Sequence, residues 1–140
     1  MKYPSRVILT SLFLVLVLSN ASFAKPLTGS YAPIFSLNDI KGAEYDLSKM
    51  KATPMTVLYF FNAESRPSVE GLLSLNELAG KYRKTDLIVL AITASPKLIA
   101  QDFAQKNKLL FPVLVDSGKV SDLYDARTIL PAVCIIGPEL

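Results

Sequence analysis

Four short apolar runs, separated by more polar stretches, dominate the chain after residue 50. The first run, "MTVLYFF", is continuously apolar and rich in β-forming residues, which is typical of a strand covered on both faces. "DLIVLAITA" repeats that pattern, and "FPVLVDSGK" adds a third run that a turn at Ser117-Gly118 closes. "AVCIIG" is the fourth. We therefore predict four strands in this part of the chain.

The stretches between these runs have the period of amphipathic helices. From Pro67 to Arg83, apolar residues recur at intervals of three or four; they are Leu72, Leu75, Ala79 and Tyr82. A second helix is predicted to open at Ser95-Pro96 and to continue to about Lys108, with Ile99, Phe103 and Ala104 facing inward. "VSDLYDA" predicts a short third helix. Strands that alternate with helices indicate parallel βαβ units.

A β-hairpin is predicted before the first apolar run. In "APIFSLNDIKGAEYDLSKMK", short extended pieces flank a turn at Lys41-Gly42, and the hairpin is expected between Ile34 and Leu47. The chain stops at Leu140, soon after the fourth strand. An unpaired final strand exposes main-chain donors at a sheet edge. We therefore expect either that the chain is C-terminally truncated relative to a longer protein or that another molecule covers this edge.

The first 24 residues have the features of a cleaved signal peptide. Lys2 and Arg6 precede an apolar run from Val7 to Leu18, and Ser22 and Ala24 have the spacing that a signal peptidase prefers. The run is shorter than the roughly 20 residues of a membrane-spanning helix. We predict cleavage after Ala24, export to the periplasm or beyond, and no stable membrane anchor in the mature chain. An uncleaved anchor is the alternative.

Composition indicates one domain over residues 25–140 and limits its chemistry. Hydrophobic residues make up 51% of the chain, enough for an ordinary core. Loss of Lys2 and Arg6 with the leader lowers the formal net charge from +3 to +1, so nothing indicates nucleic acid as a partner. The chain has no histidine, which excludes a Ser-His-Asp triad, a Cys-His pair and a histidine metal site. We expect no metal and no cofactor.

Cys134 is the only cysteine in the chain. Its surroundings, "PAVCIIG", predict a buried strand, where a free cysteine behaves as a small apolar side chain. Export would place it in an oxidising compartment. A reactive thiol or an intermolecular disulfide therefore stands as the alternative to a structural role.

Three segments, in order, resemble the thioredoxin-like redoxins, specifically the exported thiol-disulfide oxidoreductases of the TlpA and ResA kind, with the alkyl hydroperoxide reductase and thiol-specific antioxidant group as neighbours. They are the predicted hairpin, "VLYFFNAESRPS", and "FPVLVDSGKVSDLYDARTILPAVCIIG". The resemblance covers about Ala32 to Ile136. It implies a thioredoxin-like α/β fold, with a central mixed sheet flanked by helices and an N-terminal hairpin. It also implies that the last strand and helix of the fold are missing.

The resemblance places serine at both cysteine positions of the family's redox turn. In that alignment Ser65 and Ser68 replace the cysteines, Glu64 replaces a tryptophan and Pro67 keeps the proline. Exchange requires a thiolate that attacks a disulfide and a second thiol that resolves the product. An alternative alignment to the peroxidases places Val69 at the reactive cysteine, and it too lacks a nucleophile. Enzymatic activity is therefore left open for this chain.

The resemblance also implies a peptide-binding groove. Leu130-Pro131 matches the dipeptide whose peptide bond is cis in the family, and an extended peptide pairs with the backbone beside it. The groove residues are predicted to be Ser65, Arg66, Pro67, Ser68, Leu130 and Pro131. Either serine is also a suitable cap for the helix that follows, and Arg66 is either solvated or a partner for a substrate carboxylate.

Three hypotheses for function follow from these observations. The first is a redoxin that has lost thiol-disulfide exchange and at most binds a peptide or an envelope protein in the groove. The second is a weakly active oxidoreductase that works through Cys134. The third is a non-functional fragment.

Overall fold

In the computed structural model, residues 28–51, 53–82 and 86–139 are described. The predicted signal peptide lies outside them. The described chain begins with strands β1 (Ser36–Asn38) and β2 (Glu44–Asp46), which pair antiparallel. Asp39 holds the turn between them, because one carboxylate oxygen accepts hydrogen bonds from the amides of Lys41 and Ala43. Gly42 has φ of 93°, a value that favours glycine. The predicted hairpin is confirmed.

A four-stranded sheet forms the centre of the domain. Its strands are β3 (Thr56–Phe60), β4 (Ile88–Thr93), β5 (Val113–Val115) and β6 (Ala132–Ile136), in the spatial order β5-β4-β3-β6. The strands β3, β4 and β5 run parallel, and β6 pairs antiparallel with β3. Every residue of β3 is buried, as its continuous apolar pattern predicts. The predicted mixed sheet of the thioredoxin-like fold is confirmed.

The two faces of the sheet are covered by different elements. Helices α1 (Arg66–Ala79) and α2 (Lys97–Lys106) cover one face, where Leu72 and Ala100 are fully buried. The other face is covered by the hairpin, by a 3₁₀ turn (Leu47–Met50) and by the short helix α3 (Lys119–Leu123). No helix of the described residues is long and apolar enough to cross a membrane.

Both long helices differ in detail from the prediction. Helix α1 ends at Ala79 with Gly80 as its C-cap, so Tyr82 continues the apolar period but is exposed and lies beyond the helix. In α2, Ala100 is completely buried whereas Ile99 is exposed. Phe103 and Ala104 pack against the core as predicted, so the prediction is wrong for Ile99 alone, next to which Ala100 is the buried residue.

Strand β6 is buried on one face only. Its residues alternate, with Ala132 and Cys134 half-buried and Ile136 buried, whereas Val133 and Ile135 are exposed. The prediction that the whole "AVCIIG" run is a buried strand is therefore wrong for half of its side chains. The reason is position: among the described strands β6 lies at an edge of the sheet, beside β3 alone.

Candidate functional site

The turn between β3 and α1 is held by Asn62. Its side-chain oxygen accepts a hydrogen bond from the amide of Glu64 at 2.9 Å, and its main-chain carbonyl accepts one from the amide of Ser65 at 3.1 Å. Asparagine commonly organises turns in this way. The sequence analysis did not select Asn62, although its position directly after an apolar strand was the available signal. The shape of the turn is thus fixed independently of the side chains of Ser65 and Ser68.

Ser65 occupies the N-cap position of α1. Its backbone is extended, with φ −93° and ψ 115°, and its carbonyl accepts the amide hydrogen of Val69 at 3.0 Å. The side chain makes no capping hydrogen bond. The helix therefore begins where the sequence predicts, with Pro67 in its first turn, but neither serine supplies the predicted side-chain cap.

Ser68 points into the protein rather than toward the turn's surface. It is completely buried, and its hydroxyl oxygen has no hydrogen-bond partner among the described residues. Its main-chain carbonyl accepts a hydrogen bond from the hydroxyl of Tyr59 at 2.9 Å. Burial without a partner costs a hydroxyl about 1–3 kcal/mol, whereas a thiol tolerates an apolar site well. A cysteine would therefore suit this buried position better than the serine that occupies it.

Arg66 is engaged within its own helix. Its Nε lies 2.6 Å from Oε1 of Glu70, one helical turn along, and both side chains are largely exposed. An exposed pair of this kind contributes about 0.3–0.5 kcal/mol. Binding of a substrate carboxylate by Arg66 stays a prediction, and it would require the guanidinium to exchange or share this partner.

The peptide bond between Leu130 and Pro131 is cis, as the resemblance implies. Pro131 directly precedes β6, whose first residue, Ala132, pairs with Phe60 at the end of β3. The cis-proline and the turn that follows Phe60 therefore lie at the same end of the sheet. The structure brings the two halves of the predicted groove to one edge of the fold.

A cavity of about 540 Å³ opens at this edge. Glu64 and Leu130, the residues immediately before Ser65 and Pro131, are among the side chains that line it, whereas Ser65, Arg66, Pro67, Ser68 and Pro131 are not. The cavity extends instead along the carboxyl ends of β3 and β4 toward α3. Ligands of open α/β sheets commonly bind at the carboxyl ends of the strands.

Cys134 lies away from this edge, in the middle of β6 and opposite Leu58 of β3. It is half-buried against the core that contains Tyr124, and burial raises the pKa of its thiol. Burial also raises the pKa of Tyr124, with a smaller contribution from Cys134. The raised pKa of Cys134 disfavours its thiolate. Among the described residues, no group of three or more His, Cys, Asp or Glu side chains is placed to hold a metal ion.

These features define a thioredoxin-like redoxin domain. Comparison with known proteins makes the assignment specific: residues 28–140 match the model of the AhpC/TSA family, and the chain belongs to that family.

Similar proteins come from both branches that the sequence resembles. The chain is 34% identical over 100 residues to a chloroplastic peroxiredoxin Q of Sedum lineare, covering 71% of this chain and 53% of that protein. It is 30% identical over 127 residues to the thiol-disulfide oxidoreductase ResA of Geobacillus thermodenitrificans (strain NG80-2), covering 83% and 72%. The chain spans about half the length of several curated relatives that it matches.

Solved structures with the same fold include an uncharacterized conserved protein from Geobacillus kaustophilus. It has a TM-score of 0.72 and 26% identity, with 84% of this chain and 66% of that chain covered. A secreted disulfide oxidoreductase of Mycobacterium tuberculosis, homologous to E. coli DsbE, has a TM-score of 0.66 and 20% identity, with 75% and 77% covered. This second likeness concerns the fold alone.

Proposed function

We propose that this protein is an exported member of the AhpC/TSA family that has lost thiol-disulfide exchange and binds an extended peptide or envelope protein beside Leu130-Pro131. The observation that carries the proposal is the contrast at one edge of the sheet. The turn, the helix start and the Leu130-Pro131 segment lie at that edge, yet Ser65 and Ser68 stand where the family's exchange chemistry needs sulfur.

Loss of exchange follows from the chemistry of the two serines. A hydroxyl oxygen cannot form the mixed disulfide through which exchange proceeds. A serine nucleophile would need an activating base, and the chain has no histidine. Ser68 is moreover completely buried. The turn therefore keeps the shape of a redox site without its reactive atoms.

Peptide binding follows from what remains. An extended peptide that adds to a sheet edge is held by main-chain hydrogen bonds, which do not depend on sulfur. The main chain at Leu130-Pro131 lies at the same edge as the turn that Asn62 holds. This placement supports a groove between the two segments.

Activity through Cys134 is the weaker candidate. The thiol is half-buried on β6, its raised pKa reduces the thiolate fraction, and it lies on a different part of the sheet from the proposed groove. A peptide held beside Pro131 would thus bind near the turn that carries Ser65 and Ser68, and not at the sulfur of Cys134.

Export is supported by the sequence of the first 24 residues. A reporter enzyme that is active only outside the cytoplasm, fused after residue 30, should be active in a bacterial host. Deletion of Val7 to Leu18 should abolish that activity. Equal activity of the two fusions would argue against a signal peptide.

Reduction of insulin disulfides by dithiothreitol tests the loss of exchange. With Cys134 alkylated under denaturing conditions and the protein refolded, the parent should not accelerate insulin precipitation. A Ser65→Cys/Ser68→Cys variant on a Cys134→Ala background should do so, because the turn and the helix N-terminus favour a thiolate there. Acceleration by the parent would refute the proposal.

Binding of carboxymethylated insulin B chain, which offers an extended peptide without thiols, tests the groove. The parent should bind it, and Pro131→Ala should bind it more weakly. Pro138→Ala, an exposed proline beyond β6, is the matched control and should bind as the parent does. Unchanged binding by Pro131→Ala would place the peptide elsewhere.

A further inference from the structure

The 540 Å³ cavity beside the groove has two chemically different parts. Its accessible apolar surface comes from Pro96, Ile99 and Leu130, which lie over the buried side chains of Phe60, Phe61 and Ile92. Its outer part carries polar side chains from separate loops, among them Asn62 and Ser117. The volume lies within the range of about 300–1,000 Å³ that is typical of small-ligand sites.

Two hydrogen-bond donors on the outer part are available to a ligand. The Ser117 hydroxyl makes no hydrogen bond within the described chain, and it is exposed on the loop between β5 and α3. Asn62 uses its side-chain oxygen in the turn, which leaves its amide NH₂ available. These donors can bind a polar group at the mouth of the cavity.

The charges at the cavity do not favour an ionic ligand. Arg127 and Glu64 both line it. The Arg127 guanidinium is already paired with Asp122, its Nη1 lying 2.8 and 3.1 Å from the two carboxylate oxygens. An acidic group would meet a partly neutralised arginine beside Glu64, and a basic group that approaches Glu64 would also face Arg127. A neutral ring with a polar edge fits both parts.

Resting on the proposed peptide binding, we propose that this cavity receives an aromatic side chain with a polar edge, tyrosine or tryptophan, from the peptide held beside Leu130-Pro131. Successive side chains of an extended peptide point to opposite sides, so every second one can enter a pocket beside the strand it pairs with. Leu130 belongs to both the groove and the cavity wall, which makes the cavity the adjacent pocket. The ring packs on Ile99 and Leu130 with its polar edge toward Ser117.

Amide chemical shifts of isotope-labelled protein, titrated with N-acetyltyrosinamide, test the pocket directly. The amides of Ser95, Ser117 and Gly118 should shift in a saturable manner, and N-acetylaspartic acid amide should bind at least about tenfold more weakly. Equal binding of the two compounds, or no shift at these amides, would overturn the inference.

A tryptophan placed at Ser117 should fill the cavity mouth and abolish binding of N-acetyltyrosinamide. Ser117 makes no hydrogen bond that the substitution would remove, and a native-like spectrum of Ser117→Trp establishes that it folds. The matched control is Gln105→Trp, at an exposed residue that lines a separate cavity between the hairpin and α2. The control should bind as the parent does; loss of binding in Gln105→Trp alone would move the site there and refute the assignment.

The two proposals fail in different ways. If carboxymethylated insulin B chain binds in a Pro131-dependent manner but N-acetyltyrosinamide shifts nothing, the groove stands and the aromatic pocket is refuted. If N-acetyltyrosinamide binds the cavity and the B chain does not bind, the pocket stands and the peptide groove is refuted.

Discussion

The Tyr59 hydroxyl donates a hydrogen bond to the main-chain carbonyl of Ser68, joining β3 to the first turn of α1. The phenol reaches this carbonyl across Gly71, where an added Cβ would collide with the Tyr59 hydroxyl. A glycine in the middle of a helix is otherwise unfavourable by about 1 kcal/mol relative to alanine. Gly71 thus lowers the helix propensity of α1 but allows the contact with Tyr59. This contact fixes how α1 lies on the sheet.

Substitution of Gly71 by alanine should therefore destabilise the protein, against helix propensity. We expect a loss of about 1–3 kcal/mol in the free energy of unfolding, because the methyl group displaces the Tyr59 ring. Urea denaturation of Gly71→Ala, Tyr59→Phe and the double variant gives the coupling between the two residues. The double variant should recover part of the loss. An alanine variant at least as stable as the parent would contradict this role of Tyr59.

Replacement of the buried Ser68 hydroxyl should stabilise the fold. Its oxygen is unpartnered among the described residues, so Ser68→Ala removes a desolvation cost and should raise the free energy of unfolding by about 1 kcal/mol. Ser74→Ala in the same helix is the control for helix propensity, since Ser74 is exposed and bonds the Glu70 carbonyl. A larger gain at Ser74 than at Ser68 would show that the buried hydroxyl is satisfied in solution.

The loop that carries Ser117 should depend on the buried carboxylate of Asp116. This carboxylate accepts hydrogen bonds from the Ser121 amide at 2.8 Å, the Ser121 hydroxyl at 2.7 Å and the Val120 amide at 3.2 Å. Asp116→Ala leaves these donors without a partner and should cost about 2–3 kcal/mol in chemical denaturation. Asp122→Ala, which removes only an exposed ion pair, should cost less than about 1 kcal/mol. Similar losses in the two variants would count against this role.

Cys134 should make stability fall at alkaline pH. Burial raises the pKa of its thiol above that of a solvent-exposed thiol, so the folded state holds the proton more tightly than the unfolded state does. This contribution is fully present below the unfolded pKa and is lost as pH rises through the folded pKa. The parent should therefore lose stability relative to Cys134→Ala above about pH 9. Parallel pH profiles of the two proteins would show that the thiol titrates normally.

The sequence predicts the central sheet well because its strands are short apolar runs, rich in β-forming residues and bounded by turn residues. The hairpin is equally clear, since Gly42 marks a turn between two extended pieces. Helix ends are less certain from the pattern. Tyr82 continues the apolar period of α1 although the helix has already ended, and Ile99 and Ala100 are both plausible inward residues until packing selects the smaller.

The site was only partly predictable for a related reason. The serines, the turn and the cis-proline follow from order along the chain and from family resemblance. The cavity does not, because its wall comes from β3, β4, α3 and the segment before Pro131, which are far apart in sequence. The direction of Ser68 likewise depends on how α1 sits on β3, a tertiary relationship that no local pattern contains.

The hydrogen bonds of Asn62 hold the turn between β3 and α1 without any contribution from the side chains that would carry its chemistry. Since an amide and the main chain hold the bend, residues 65 and 68 can be exchanged without rebuilding the junction of strand and helix. Substitutions at these two positions can therefore change the chemistry of the turn while the junction between β3 and α1 keeps its shape.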